Sequence, residues 1–333
     1  MYNPLNERGN ERGTILFRNI FSEFFGGSQI FVYLCSQRSI NVENRYMGKF
    51  INPFTDMGFK RIFGQEVSKP VLITFLNALL EGEQRIVNLK YLDKEQPGES
   101  TDDKSLIYDV YCEVEGGDHI IVEMQNKSQP WFKERCVYYM SRAISRQGEP
   151  GKEWHYSDLK AVYIIAFMNF KRSDISERFR TDVCLMDMER RTPFSDKQRM
   201  VFLQLPLFTK EAEECETIFE KNIYVLKHMD ILKRMPWMAQ EAVFQKLASI
   251  ADVASLSKKE REAYDENLRK YRDTVAVMEG QYLEGMEKGM EKGMEKGMVT
   301  ANRENAQKMR ALGLSSDVIA QVTGLTAEEI EGL

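Results

Sequence analysis

Between residues 106 and 125, two runs of alternating apolar and polar residues flank the pair Gly116-Gly117. A period of two marks strands with one buried face, and a glycine pair between such strands marks a hairpin. In the first strand, 106–114, Val110, Cys112 and Val114 share one face, while Ile107, Asp109, Tyr111 and Glu113 share the other. In the second, 119–125, Ile120, Val122 and Met124 lie opposite to Ile121, Glu123 and Gln125. A three-residue loop, Gly116-Gly117-Asp118, pairs Val114 with Ile120, Cys112 with Val122 and Val110 with Met124, so the apolar faces coincide. A two-residue loop would set apolar against polar, which a half-buried sheet disfavours. The same register puts Asp109 across from Gln125 and Tyr111 across from Glu123. It gathers Asp109, Glu123 and Gln125 on one side.

Two carboxylates on adjacent strands form a hard oxygen donor set suited to Mg²⁺ or Mn²⁺, with the Met124 carbonyl as a third ligand. Such a cation activates water against a phosphodiester. The same spacing also describes the solvated outer face of a hairpin, where charged residues ordinarily sit. Spacing alone leaves both readings open.

The helix expected over 131–146 carries Arg135, Tyr139, Arg142 and Arg146 at i, i+4, i+7 and i+11, one face of a helix. A basic stripe with an embedded aromatic can grip a phosphate backbone, and it can equally be a solvated cationic face. Trp131 and Tyr138 are expected in the core, and His119 in the solvated turn. Earlier in the chain, Asp56 and Lys60 open a helix with Phe59. Thr55 or Asp56 can cap that helix, Asp56 otherwise being a further carboxylate reaching the site, and Lys60 is a candidate phosphate contact.

The net charge of −5 over 333 residues excludes a globally basic nucleic-acid binder, though not an enzyme that handles DNA through a local basic strip and a metal. The five cysteines are dispersed without metal spacing, which reads as reduced thiols in a cytoplasmic protein, with Cys112 and Cys136 filling core. The three histidines form no ligand pair. No run approaches a membrane span, and the first residues lack a signal-peptide pattern.

Five segments are expected. Residues 1–46 read as an irregular leader, with Met47 as a candidate translation start. Residues 47–209 read as an α/β core: helices over 57–80, strands at 86–92, 106–114 and 119–125, the helix 131–146, and a buried strand at 160–169. Strands near 179–188 and 200–207 extend the sheet. Residues 210–281 read as a helical extension with helices at 212–228, 231–250 and 258–281. In 282–300 a Glu-Lys-Gly-Met repeat reads as a linker, because glycine every fourth residue weakens a helix and a four-residue period drifts around it. A self-association rod is the alternative, and with it a homo-oligomer through the helical C-terminal region. Residues 301–333 read as a two-helix tail with a capping box from Thr326 to Glu329, poor in basic residues and better suited to protein contact than to a DNA groove.

The run TDMGFKRIFG (55–64), Tyr108-Asp109-Val110, and IVEMQNKSQPWFKERCVYYMSRAI (121–144) together resemble the Rpn family of recombination-promoting nucleases, also described as PD-(D/E)XK nuclease family transposases. The resemblance covers about residues 47–333. It implies a restriction-endonuclease-like core of order αβββαβ, a mixed central sheet flanked by helices, with a helical C-terminal extension. It implies Mg²⁺-dependent endonuclease activity on double-stranded DNA. By motif, Asp109 is the signature aspartate, Glu123 the second acid, and Asp56 the acidic position before Phe-Lys. Gln125 stands where the wider superfamily has lysine, so the way in which the attacking water is activated differs. The competing expectation is a catalytically inactive DNA- or protein-binding regulator on the same fold.

Overall fold

The computed structural model describes residues 48–83, 85–96, 106–148 and 154–333. The chain separates into two units, Met1–Lys49 and Phe50–Leu333, and the second holds everything below. The leader expected over 1–46 lies outside the described residues.

The architecture is mixed α/β. Helices α1 (Asp56–Phe63) and α2 (Lys69–Leu79) precede β1 (Leu89–Tyr91), β2 (Glu95–Gln96), β3 (Leu106–Ile107), β4 (Val110–Val114) and β5 (His119–Gln125). Helix α3 (Phe132–Ser145) leads to β6 (Val162–Met168), β7 (Arg180–Cys184) and β8 (Gln198–Gln204). Then come α4 (Ile218–His228), α5 (Ala242–Ala251), α6 (Lys258–Ala311), α7 (Ser316–Thr323) and α8 (Ala327–Glu331). Six strands form one sheet in the order β1-β4-β5-β6-β8-β7, and β2 pairs with β3 apart from it. The β5–β6 and β6–β8 pairs are parallel, while β1–β4, β4–β5 and β7–β8 are antiparallel.

The two faces of the sheet follow the period of two. Val110, Cys112, Ile120, Val122, Ile165, Phe167, Val201 and Leu203 pack under the helical layer that includes α1, α2, α4 and α5. A cluster of Phe59, Phe63 and Phe75 closes on Phe167, with ring centroids 5.2–5.8 Å apart. Tyr111, Ile121, Val162, Ile164, Ala166 and Phe202 face the other way and pack against Phe132, Cys136, Met140 and Ala143 of α3. Burying the hairpin on both sides removes the solvated outer face that its polar residues suggest. Cys112 and Cys136 are buried thiols, as expected.

Three expectations change. The hairpin register differs by two residues: Val110 pairs with Val122, Cys112 with Ile120 and Glu113 with His119. The loop is Glu115-Gly116-Gly117, closed by Val114 N–H to the Asp118 carbonyl at 2.9 Å. The third loop residue must take the left-handed region, and Gly117 does so at φ 86° where the expected loop required Asp118. A shift of two keeps every side chain on its face, so the apolar match survives. Second, the strand expected over 106–114 is broken at Tyr108 and Asp109, because Leu106–Ile107 pairs with β2 instead of continuing in the main sheet. Third, the repeat over 282–300 is helical, inside the 54 residues of α6, and the helix expected over 231–250 begins only at Ala242. The capping box of the tail is present, with Glu329 N–H donating to Thr326 Oγ1 and Thr326 N–H to Glu329 Oε2.

Candidate active site

The break at Tyr108-Asp109 frees the Asp109 side chain from the ladder and turns it onto the neighbouring strand. Its Oδ2 accepts the Met124 N–H at 2.8 Å. In return, the Asp109 N–H donates to Glu123 Oε1 at 3.3 Å. Each acid is therefore held by the backbone of the strand that carries the other. Glu123, not Gln125, is the residue across from Asp109, which corrects the expected pairing. Gln125 Nε2 donates to Glu123 Oε2 at 3.2 Å. When Glu123 is ionised, as a bound cation requires, only the amide nitrogen can donate to it, and that sets which way the Gln125 amide points.

Glu123 is only 6% exposed. Burial and the adjacent Asp109 push its carboxyl up to about 8, against the weaker pull of the Asp109 N–H, Arg135 and Gln125. Burial raises Asp109 as well; the Met124 N–H, Lys60 and Arg135 oppose the rise and Asp56 adds to it. Two buried acids side by side destabilise each other's charged form. A bound hard divalent cation would remove that penalty, and Asp109 and Glu123 fit as the residues that would hold it. Among the described residues no three His, Cys, Asp or Glu side chains gather about a point. The Met124 N–H leaves β5 on the Asp109 side, and the carbonyl of a strand residue leaves on the same edge as its amide.

Asp56 is not the N-cap of α1. Thr55 is, its Oγ1 accepting the Gly58 N–H at 2.9 Å. Asp56 is exposed in the first turn and meets Lys60 Nζ at 2.5 Å, and both charges act on Asp109. Gly58 is required here, because a Cβ would lie 2.0 Å from the Asn52 carbonyl oxygen. Asn126, the residue after Gln125, ties the two parts together through a 2.6 Å bond from Nδ2 to the Phe54 carbonyl.

On α3 the Arg135 guanidinium lies over the rings of Phe132 and Tyr139, and its Nη1 donates to Gln129 Oε1 at 2.8 Å. Its charge acts on both Asp109 and Glu123. Tyr139 packs edge-on against Tyr108, with centroids 5.2 Å apart, and Arg142 is half-buried. Tyr108, which no spacing argument singles out, is 1% exposed, and its hydroxyl has no hydrogen-bond partner among the described residues. Its position beside Asp109 was the only signal for it. Two further expectations fail. Trp131 and Tyr138 are exposed, not core, because Phe132 takes the inward position at the start of the helix. His119 is a half-buried strand residue whose Nδ1 is 2.8 Å from Tyr111 Oη, not a turn residue.

A mixed sheet that brings an aspartate and a Glu-x-Gln together across a hairpin, with helices on both faces, is the arrangement of a PD-(D/E)XK nuclease domain. The model of the family described as PD-(D/E)XK nuclease family transposase matches residues 53–281, most of the chain, and the protein belongs to that family. No curated protein and no solved structure matches the chain significantly. The family ties the chain to nucleases linked to transposition. No helix among the described residues is long and apolar enough to cross a membrane.

Proposed function

We propose that the protein is a Mg²⁺- or Mn²⁺-dependent endonuclease that hydrolyses double-stranded DNA in the cytoplasm, in recombination or transposition. The observation that carries this reading is the reciprocal hold of Asp109 and Glu123 on each other's strands, which keeps two carboxylates together where burial disfavours their charge. Asp109 and Glu123 bind the cation, with the Met124 carbonyl as a third ligand. When bound, the cation lowers the pKa of a water and offsets phosphate charge. Gln125 spends its amide nitrogen on Glu123, which leaves Oε1 to accept a hydrogen bond from the attacking water. That gives the glutamine a task that needs no positive charge. Asp56 stands at the rim and balances Lys60; Lys60, Arg135 and Arg142 receive the phosphates, and Tyr139 braces Arg135.

Asp109→Ala is expected to abolish Mg²⁺-dependent nicking of supercoiled plasmid while circular dichroism and the melting transition stay near wild type. Wild-type protein treated with EDTA should match the variant. Full cleavage by the variant removes Asp109 from the mechanism. Divalent-independent DNA binding without any cleavage makes the chain a binding protein on a nuclease fold.

A further inference from the structure

Trp131, the N-cap of α3, and Arg135, Tyr138 and Arg142 within the helix stand at i, i+4, i+7 and i+11. At about 100° per residue they fall within roughly 60° of one another around the helix. They form one strip in which aromatic and basic side chains alternate. The strip lies at the border between the buried face of α3, set by Phe132, Cys136 and Met140, and its solvent face. Trp131 is 74% exposed and Tyr138 44% exposed, while Arg135 and Arg142 are half-buried. Arg135 connects the strip to the carboxylate pair, because its charge acts on both acids.

The backbone that carries the exposed indole is anchored. Phe132, the next residue, is 1% exposed and packs edge-on against Phe170 and Phe202. The loop from Gln125 to Trp131 is braced at Gln129, whose side chain accepts from Arg135 and whose carbonyl accepts from Arg172 Nη1 at 2.5 Å. Arg172 is fixed in turn by Asp174, which also pairs with Lys133 at 3.0 Å. An anchored loop that presents a large aromatic to water, one helical turn before Arg135, is prepared for a partner. Ordering it on binding then costs little entropy.

We propose that Trp131 and Tyr138 are DNA-contact residues that pack against the bases or sugars of a duplex seated at the carboxylate pair. Arg135 and Arg142 take the phosphates between them. This rests on the nuclease reading and deepens it. An aromatic side chain wedged at a base step holds the duplex in register, and arginines spaced between aromatics supply the charge that neutral rings cannot.

The test is binding of a fluorescein-labelled duplex, with Ca²⁺ in place of Mg²⁺, over a salt series. Trp131→Ala is expected to weaken binding about tenfold and Tyr138→Ala about threefold, with Trp131→Phe near wild type. Neither alanine variant should change the slope of log Kd against log salt, because no phosphate contact is lost, while Arg135→Ala should lower it by about one. Tryptophan emission should fall on duplex binding in the wild type and not in Trp131→Ala. Wild-type affinity in both Trp131→Ala and Tyr138→Ala overturns the proposal and leaves the nuclease reading standing. A wild-type protein that cleaves and binds no duplex at all overturns both.

Discussion

At the scale of single residues, the carboxylate pair has a thermodynamic signature separate from catalysis. Glu123 has an ordinary value of 4.5 and is raised to about 8 in the fold, chiefly by burial and then by Asp109. Between those two values the native state holds a proton that the unfolded chain has released. Stability therefore falls as pH rises through that window, and the loss is complete above it. Melts in EDTA are expected to drop by several degrees from pH 5 to pH 8. Glu123→Gln should flatten that dependence, because the amide cannot ionise, and Mg²⁺ at pH 8 should restore the wild type but not the variant. Equal pH dependence in the two proteins would mean that Glu123 ionises freely. Gln125 belongs to the same balance: it gives Glu123 a donor at 3.2 Å without placing a charge beside it.

At the scale of elements, two glycines carry unequal weight. At Gly58 a Cβ meets the backbone oxygen of Asn52 at 2.0 Å, and neither the loop nor α1 can move away without disturbing the Thr55 cap. Gly58→Ala is expected to cost about 3 kcal/mol in urea unfolding. Gly117→Ala meets only the flexible Lys160 side chain at 3.0 Å and the strain of φ 86°, for about 1–2 kcal/mol. The reverse order of the two costs would show that the Asn52–Thr55 loop yields. The same elements explain what could be read in advance. The faces of β4 and β5 were legible because a period of two survives any even shift of register, and β6 because its short, continuous apolar run has the profile of a buried strand. The register itself depended on which loop residue takes the left-handed conformation. The break at Tyr108 depended on β2, a two-residue partner with no pattern of its own. The outward turn of Trp131 depended on the phase of α3, which the packing of Phe132 sets and composition does not.

At the scale of the molecule, α6 divides into a part that the body holds and a part that it does not. Near its start, Glu260 pairs with Arg61 at 2.7 Å, Tyr264 Oη accepts the Asn52 N–H at 2.8 Å, and Tyr271 stacks on Phe54. Tyr264 and Leu268 are buried in the main core. From residue 280 to 301 every residue is exposed, and a Cβ at Gly285, Gly289, Gly293 or Gly297 would meet nothing within 4 Å. The repeat stays helical through capped continuity with the anchored part and local pairs such as Glu284 with Lys288 at 2.5 Å, each worth a few tenths of a kcal/mol. Each of those glycines opposes the helix by about 1 kcal/mol. The balance leaves this stretch the first part of α6 to open. Removing residues 282–333 is accordingly expected to leave the melting temperature of the remaining chain within a few degrees of wild type, while Leu268→Ala in the full chain should cost about 2–4 kcal/mol. Amide exchange in the full chain should be fast over 282–300 and slow around Tyr264 and Leu268. A large loss of stability on truncation would mean that the main core depends on residues that are exposed or packed in the tail's own small cluster of Ala306, Ile319 and Ile330.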